Sequence, residues 1–332
     1  MRWLAALVAV SLMPASSRAQ APTSVPATQP TRWTIRDDGS IVWNVQKGKP
    51  HTDHVEMSGR FCSVIVTYGV DAAAKPTVSR HVVWPMLRHA PNKTHDNLAL
   101  TFSDEVAPRL FLNRAAVRNE VATTFRHKGI LTIAGTIGRN RELAFTRTIF
   151  PSPDKPVVLE KYVLTNASDK DVTVEAEQSE RTVTTNEGRG VYGAYVAEST
   201  VHGAGERVLK PGESTTFTMV ISARKADEPQ AKVDVDAELA ARERRVNDVQ
   251  SRLVLDTPDP VLDTAFAFAK VRAAESIYQT KGGLLHGPGG GRYYAAVWAN
   301  DQAEYANPSS PSSATPPPTS RPSSPTGCSR RS

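Results

Sequence analysis

Between residues 32 and 225 the chain is cut into short apolar runs that alternate with a period of two, and each run is closed by Gly, Pro, Asn or Asp. Successive side chains of an extended strand point to opposite faces, so this rhythm describes half-buried strands rather than an amphipathic helix. Trp33-Thr34-Ile35 and Ile41-Val42-Trp43-Asn44-Val45 flank Asp37-Asp38-Gly39-Ser40, whose Asp-Gly supplies the positive φ of a hairpin turn. Cys62 to Tyr68, Val78 to Trp84, Leu98 to Phe102, Ile130 to Ile137, Leu143 to Phe150, Val157 to Thr165, Val172 to Glu177 and Thr215 to Ile221 repeat the pattern. So many strands without an intervening helical repeat predict a mainly β fold, an antiparallel sandwich filling residues 32–230.

The pattern changes in residues 231–255. Asp236-Ala237-Glu238-Leu239 and the charged run to Val246 are helical, with Leu239, Val246, Val249 and Leu253 spaced for one apolar stripe, as in a linker helix laid on a neighbouring surface. Asp259-Pro260 is an acidic N-cap followed by Pro at the first helical position, and opens a second helix expected from Val261 to about Gln279. Leu262, Phe266, Phe268, Val271 and Ile277 leave it little polar face, so burial on more than one side is expected, with Gly282-Gly283 as its stop.

The two ends read differently. Arg2 ahead of the apolar run Trp3 to Met13, then small residues to Ala19, predicts a secretory signal peptide at 1–19 and a linker at 20–31. The run is shorter than the ~20 residues a bilayer span requires, so no membrane partner is expected after cleavage, and the protein is expected outside the cytoplasm, secreted or periplasmic. Residues 309–332 collapse to Ser, Pro, Thr and Arg. That composition suits a disordered tail. It also suits a reading frame displaced by one base, because serine TCN codons then become NTC and encode Phe, Leu, Ile or Val. The net charge of +6 falls to +1 without the arginines of these two ends, which leaves no electrostatic footprint for nucleic acid. Cys62 and Cys328 are too few for a disulfide framework, and Cys62 reads as a small buried hydrophobe.

The densest group of chemically useful residues runs from His286 to Pro308. Its glycines lack the Gly-Lys-Ser/Thr of a phosphate loop. A surface loop entering a helix at Asn300 or Asp301 is one reading. The other is a carbohydrate cleft, because sugars present hydroxyls in fixed directions and apolar ring faces, and here Arg292, Trp298, Asp301 and Glu304 lie within a few residues of a Gly-rich loop.

The succession of β-sandwich, charged linker helix, apolar helix, Gly-rich loop and Trp298-Ala299-Asn300-Asp301 resembles the front half of the six-hairpin (α/α)6-barrel glycoside hydrolases, relatives of glucoamylases, glycoside phosphorylases and rhamnosidases. Val83-Trp84-Pro85-Met86-Leu87-Arg88 and Leu159 to Asn166 are similar to sandwich strands of such proteins. The resemblance implies an N-terminal super-β-sandwich, the start of an α/α toroid over 256–308, a carbohydrate substrate, no cofactor, and hydrolysis of glycosidic bonds by the inverting route in a longer chain. It further implies that Trp298 lines the sugar pocket and Asp301 binds hydroxyls, with Arg292 and Glu304 beside them. The family's acid and base fall on barrel segments beyond those present, so no catalytic residue is assigned and this chain is expected to be inactive by itself.

The spacing of Asp301 and Glu304 agrees with that restriction. An inverting pair stands ~6.5 to 9.5 Å apart across a scissile bond, whereas carboxylates at i and i+3 share one helix face. A non-catalytic binding or structural sandwich with a genuine Ser/Pro tail is the alternative. His51, Asp53, His54, His81, His89 and His95 match no tight metal-ligand spacing, and no metal is expected. Asn92-Lys93-Thr94 and Asn166-Ala167-Ser168 are glycosylation sequons that support no functional claim.

Overall fold

The Asp-Gly hairpin forms as its sequence requires. Gly39 sits at φ +76°, Gly39 N–H donates to the Arg36 carbonyl and Arg36 N–H to the Ser40 carbonyl, each at 2.8 Å, and Trp33 pairs with Trp43. The computed structural model describes residues 32–91 and 96–287. The expected signal peptide, its linker, His95, the Asn92 sequon, Cys328 and the tail lie outside the described residues.

All described ladders are antiparallel. One nine-stranded sheet runs in the order Trp33–Ile35, Ile41–Asn44, Glu120–His127, Leu131–Ile137, Leu143–Pro151, Val157–Asn166, Ser214–Lys225, Tyr195–His202, Glu180–Thr184. Two four-stranded sheets share its core: His51–Ser58, Ser63–Val70, Pro76–Arg88, Asn97–Phe102, and the shorter Gly205–Leu209, Val172–Ala176, Leu110–Leu112, Ala115–Ala116. The chain is thus mainly β, antiparallel sheets followed by helices. His51–Ser58 is a strand that the sequence reading passed over, because its His, Asp and Glu obscure the alternation.

Alternating side chains from all three sheets build one core. Phe125, Ile133, Phe145 and Phe217 of the large sheet meet Val66, Tyr68, Val82 and Trp84 on one side and Val172, Val174 and Leu209 on the other. Phe125 stacks on both Trp43 (4.7 Å between centroids) and Tyr68 (5.3 Å) and so ties two sheets together. Burying each such aromatic or branched side chain contributes roughly 1.5 to 3 kcal/mol. Cys62 is buried as expected, its thiol pushed up to about 12 by desolvation.

The same interior holds charge. Arg80 and Arg147 are almost fully buried and share the Glu160 carboxylate, each Nε donating at 2.8 Å, and both also reach Asp104 Oδ1, at 3.0 and 2.8 Å. Burial alone would raise the Glu160 carboxyl, but Arg147 and Arg80 hold it below the ordinary range. The Arg147 guanidinium also lies 5.0 Å from the centre of the Tyr162 ring.

The opposite face of the large sheet is covered by the chain that follows it. Phe150, Val157, Leu159 and Val220 pack with Val233, Val235 and Leu239, and helix α1 (Val235–Ser251) opens on Asp234, whose Oδ1 accepts from Asp236 and Ala237 N–H. Val246 and Val249 are buried as the stripe predicts. Leu253 is not part of the stripe: the helix stops at Ser251, and Leu253 is exposed at φ +49°.

Helix α2 (Pro260–Glu275) starts where expected, with Asp259 accepting from Val261 N–H at 2.9 Å. It ends earlier than Gln279. Ile277–Thr280 pairs instead with Gly283–His286 across a Lys281-Gly282 turn, so Gly282-Gly283 closes a hairpin rather than a helix. Ile277 and Tyr278 favour a strand, and Tyr278 is buried beside Val83. Nor is α2 buried along its length. Lys270, Val271, Ala274 and Glu275 are covered, whereas Val261 and Leu262 stand 63% and 51% exposed.

A second buried ionic cluster fastens the helices to the sandwich. Arg242 of α1 donates Nη1 to the Ser58 carbonyl (2.8 Å) and Nε and Nη2 to the Gly129 carbonyl (3.0 and 2.7 Å), and pairs with Glu275 of α2. Glu275 also binds Arg272 (2.5 Å), which reaches Glu56 at 3.2 Å.

Candidate functional site

Pro85 has no N–H to give to a ladder, and the Pro76–Arg88 strand breaks register at that point: Trp84 pairs with Leu98, and the next pairing is Arg88 with Asn97. The resulting bulge carries Met86, Leu87 and Arg88 into the wall of a recess of about 640 Å³. The end of the Ser214–Lys225 strand adds Ser222, Ala223, Arg224 and Lys225.

Three irregular segments complete the recess, and each is anchored. The turn carrying Phe61 rests on the loop after Pro151. There a Cβ at Gly59 would lie 1.9 Å from the Ser152 carbonyl oxygen, so only glycine permits the approach. Trp84 Nε1 donates to the Pro156 carbonyl at 3.0 Å and fixes the same loop. The Tyr192 loop is tied to the bulge by Val191 N–H and Tyr195 Oη, which donate to the Arg88 carbonyl at 2.8 and 2.5 Å. The Ile277–His286 hairpin is held by Gln279 N–H on the Arg60 carbonyl at 2.9 Å, and it presents Lys281 at its tip.

Phe61, Met86, Leu87, Pro156 and Pro229 make most of the lining apolar. The charged part of the lining is mostly positive. Arg88, Arg224, Lys225 and Lys281 line the recess against one carboxylate, Glu228. Arg224 is engaged by Glu198 (2.8 Å) and by the Glu228 carbonyl (3.1 Å), and Lys225 by Glu228 (2.6 Å). The Lys281 ammonium lies 4.2 Å from the centre of the Tyr192 ring, and that of Lys225 lies 5.5 Å from it.

A second recess, about 370 Å³, lies where Phe268 and Arg272 of α2 meet Trp33, Glu56, Tyr68 and His127. Burial pushes the His127 imidazole down to about 4, although Glu275 opposes it. Burial raises Glu56 against the attraction of Arg272. Its Glu56 and Arg272 are bound to each other across the helix seam at 3.2 Å, and it reads as part of that seam.

Arg292, Trp298, Asp301 and Glu304 lie outside the described residues, so the structure places none of them. His51 and Asp53 are 3.9 Å apart, with the His51 ring edge-on to Trp43. His81 is on the Pro76–Arg88 strand, its Nδ1 2.9 Å from Thr101 Oγ1. No group of three or more His, Cys, Asp or Glu fit to hold a metal occurs among the described residues. Asn166 is buried, its amide donating to the Lys170 and Leu209 carbonyls, which makes that sequon structural. The recess itself was not foreseen. Pro85 in a strand was the usable signal, since it marks a bulge, but Tyr192, Lys225 and Lys281 carry none.

No protein-family model matches the chain, and no curated protein matches it. A solved structure described as "Putative kojibiose phosphorylase from human microbiome" aligns at 8% identity and a TM-score of 0.44, over 75% of this chain and 43% of its own. The chain therefore spans less than half the length of that protein. A likeness of this size defines no family.

Proposed function

We propose that this chain is the N-terminal portion of an exported glycoside hydrolase that acts on oligo- or polysaccharides, inverting in its longer form and inactive as the present chain. The observation that carries the reading is the recess: a mostly apolar lining with a few charged groups, walled by the hairpin that leads, five residues after Gly287, to Arg292 and then to Trp298, Asp301 and Glu304. The exposed Val261 and Leu262 of α2 support a longer protein, because an apolar helix face left in water suits a further packing partner. A stand-alone binding sandwich is the second reading, favoured by one fact: among the described residues, the recess is lined by positions 61–282 alone.

Purified mature protein is expected to be retarded by immobilised polysaccharide in affinity electrophoresis while releasing no reducing sugar from it. Release of sugar would overturn the assignment of inactivity, and the absence of retardation on every polysaccharide tried would overturn the carbohydrate reading. Sequencing the DNA across the codons for Asn307 to Ser332 tests the displaced frame. An extra base followed by an open frame supports the longer hydrolase, and an unchanged reading supports the binding sandwich.

A further inference from the structure

The recess at the Pro85 bulge is lined by four cations and one carboxylate. Of its four cations, Arg224 and Lys225 each hold a carboxylate. Lys281 holds none among the described residues. It rests instead on the Tyr192 ring, 4.2 Å from the centroid, and the same ring keeps the Lys225 ammonium within 5.5 Å. Lys225 already meets Glu228 at 2.6 Å, so Lys281 is the ammonium at this ring whose charge no described carboxylate answers, and an anion entering the recess would meet it.

The floor gives the rest of the chemistry. Phe61, Met86, Leu87 and Pro156 offer apolar surface, and Ser222 and Gln279 add a hydroxyl and an amide. A pyranose ring carries both faces that this lining suits, and a carboxylate on it would meet the lining cations.

Building on the carbohydrate reading above, we infer that the recess takes a uronate, a pyranose bearing a carboxylate, within an acidic oligosaccharide. Lys281 and Lys225 bind the carboxylate, Tyr192 keeps the two ammonium groups together, and the apolar floor receives the ring. Charge complementarity commits the site to an acidic sugar over a neutral one.

The test is calorimetric titration of the full chain with three probes: trigalacturonate, its fully methyl-esterified form, and octanoate. The ester keeps the ring and removes the charge, and octanoate keeps the charge and removes the ring. Trigalacturonate is expected to bind about tenfold more tightly than the ester, and Lys281→Gln is expected to cut that ratio several-fold, the remainder resting on Lys225. Lys281 is exposed at a hairpin tip, so its substitution leaves the fold intact. Tyr192→Ala, in an exposed loop, is expected to weaken trigalacturonate several-fold by letting the lysines separate. Equal binding of acid and ester overturns the uronate inference and leaves the carbohydrate reading standing. Binding of octanoate alone, or of none of the three, also overturns the uronate inference, while the carbohydrate reading stands or falls by the affinity electrophoresis above.

Discussion

The sandwich interior and the seam under the helices each bury arginine against glutamate, yet the two clusters do different work. Inside the sandwich, Arg80 and Arg147 come from different sheets and converge on Glu160, whose carboxylate is 1% exposed. No segment can leave without stranding a charge in the core. At the seam, Arg242 spends three of its four hydrogen bonds on the backbone carbonyls of Ser58 and Gly129, and Glu275 joins α1 to α2. That cluster fixes where a separate layer sits. Buried ion pairs contribute less to stability than their Coulomb attraction suggests, but breaking one is costly, because the remaining partner keeps its desolvation penalty. The interior cluster thus pins the register between sheets, and the seam pins the docking of helices.

The sharpest break is Glu160→Gln. It preserves shape and leaves two buried guanidinium groups with Asp104 and, for Arg147, Glu120 at 3.8 Å, and should lower stability by about 3 to 5 kcal/mol. Because both sheets depend on the pair, denaturant unfolding should stay a single transition with an unchanged slope, moved to a lower midpoint. Arg242→Met should cost about 3 kcal/mol, since the Gly129 and Ser58 carbonyls lose buried donors. Its signature is local: amide exchange should accelerate in α1 and α2 well before it does in Leu131–Ile137. Loss of protection in both regions together would show that sandwich and seam are one cooperative unit.

Acid distinguishes the clusters without mutation. His127 lies at the seam against Phe268, 5.3 Å between ring centres, and burial depresses its pKa to about 4. The unfolded chain binds this proton near pH 6.5 and the folded chain only near 4, so the contribution is complete above pH 6.5 and is lost as pH falls toward 4. The loss amounts to about 3 kcal/mol at most. Glu160 and Asp104, held below the ordinary carboxylate range by their arginines, lose their contribution only at still lower pH. The seam should therefore weaken first in a pH titration of the melting temperature. His127→Asn should flatten the curve between pH 6.5 and 4 and leave the steeper acid limb in place.

What the residue pattern revealed follows the same division. Strands such as Leu143–Pro151 and Val157–Asn166 were legible because their alternation is local, α1 because its charged run and the spacing of Leu239, Val246 and Val249 are local, and the α2 start because Asp259 is a local cap. The inward charges were not. Arg80 follows Val78 and precedes Val82 on one face, so alternation alone puts it in the core, where its partner lies eighty residues away. The end of α2 was misread because Ile277 extends an apolar helical stripe equally well, and only pairing with Gly283–His286 decides for the hairpin. The recess gathers Phe61, Arg88, Tyr192, Lys225 and Lys281 from remote points of the chain, which no short motif records.

The smallest effect refines the seam itself. Gly129, whose carbonyl receives Arg242, sits at φ +69°, and a Cβ there would lie 2.6 Å from Val246 Cγ2 of α1. Gly129→Ala should cost about 1 to 2 kcal/mol from the left-handed backbone alone, and more if α1 must move aside. Val246→Ala removes the opposing methyl groups, so the double variant separates the two causes. If the backbone accounts for the cost, the two substitutions add. If contact with α1 accounts for it, the double variant is more stable than the sum predicts. The second outcome is expected, because the touching atoms belong to a buried side chain, and it would show that the helices are seated by shape as well as by the Arg242 cluster.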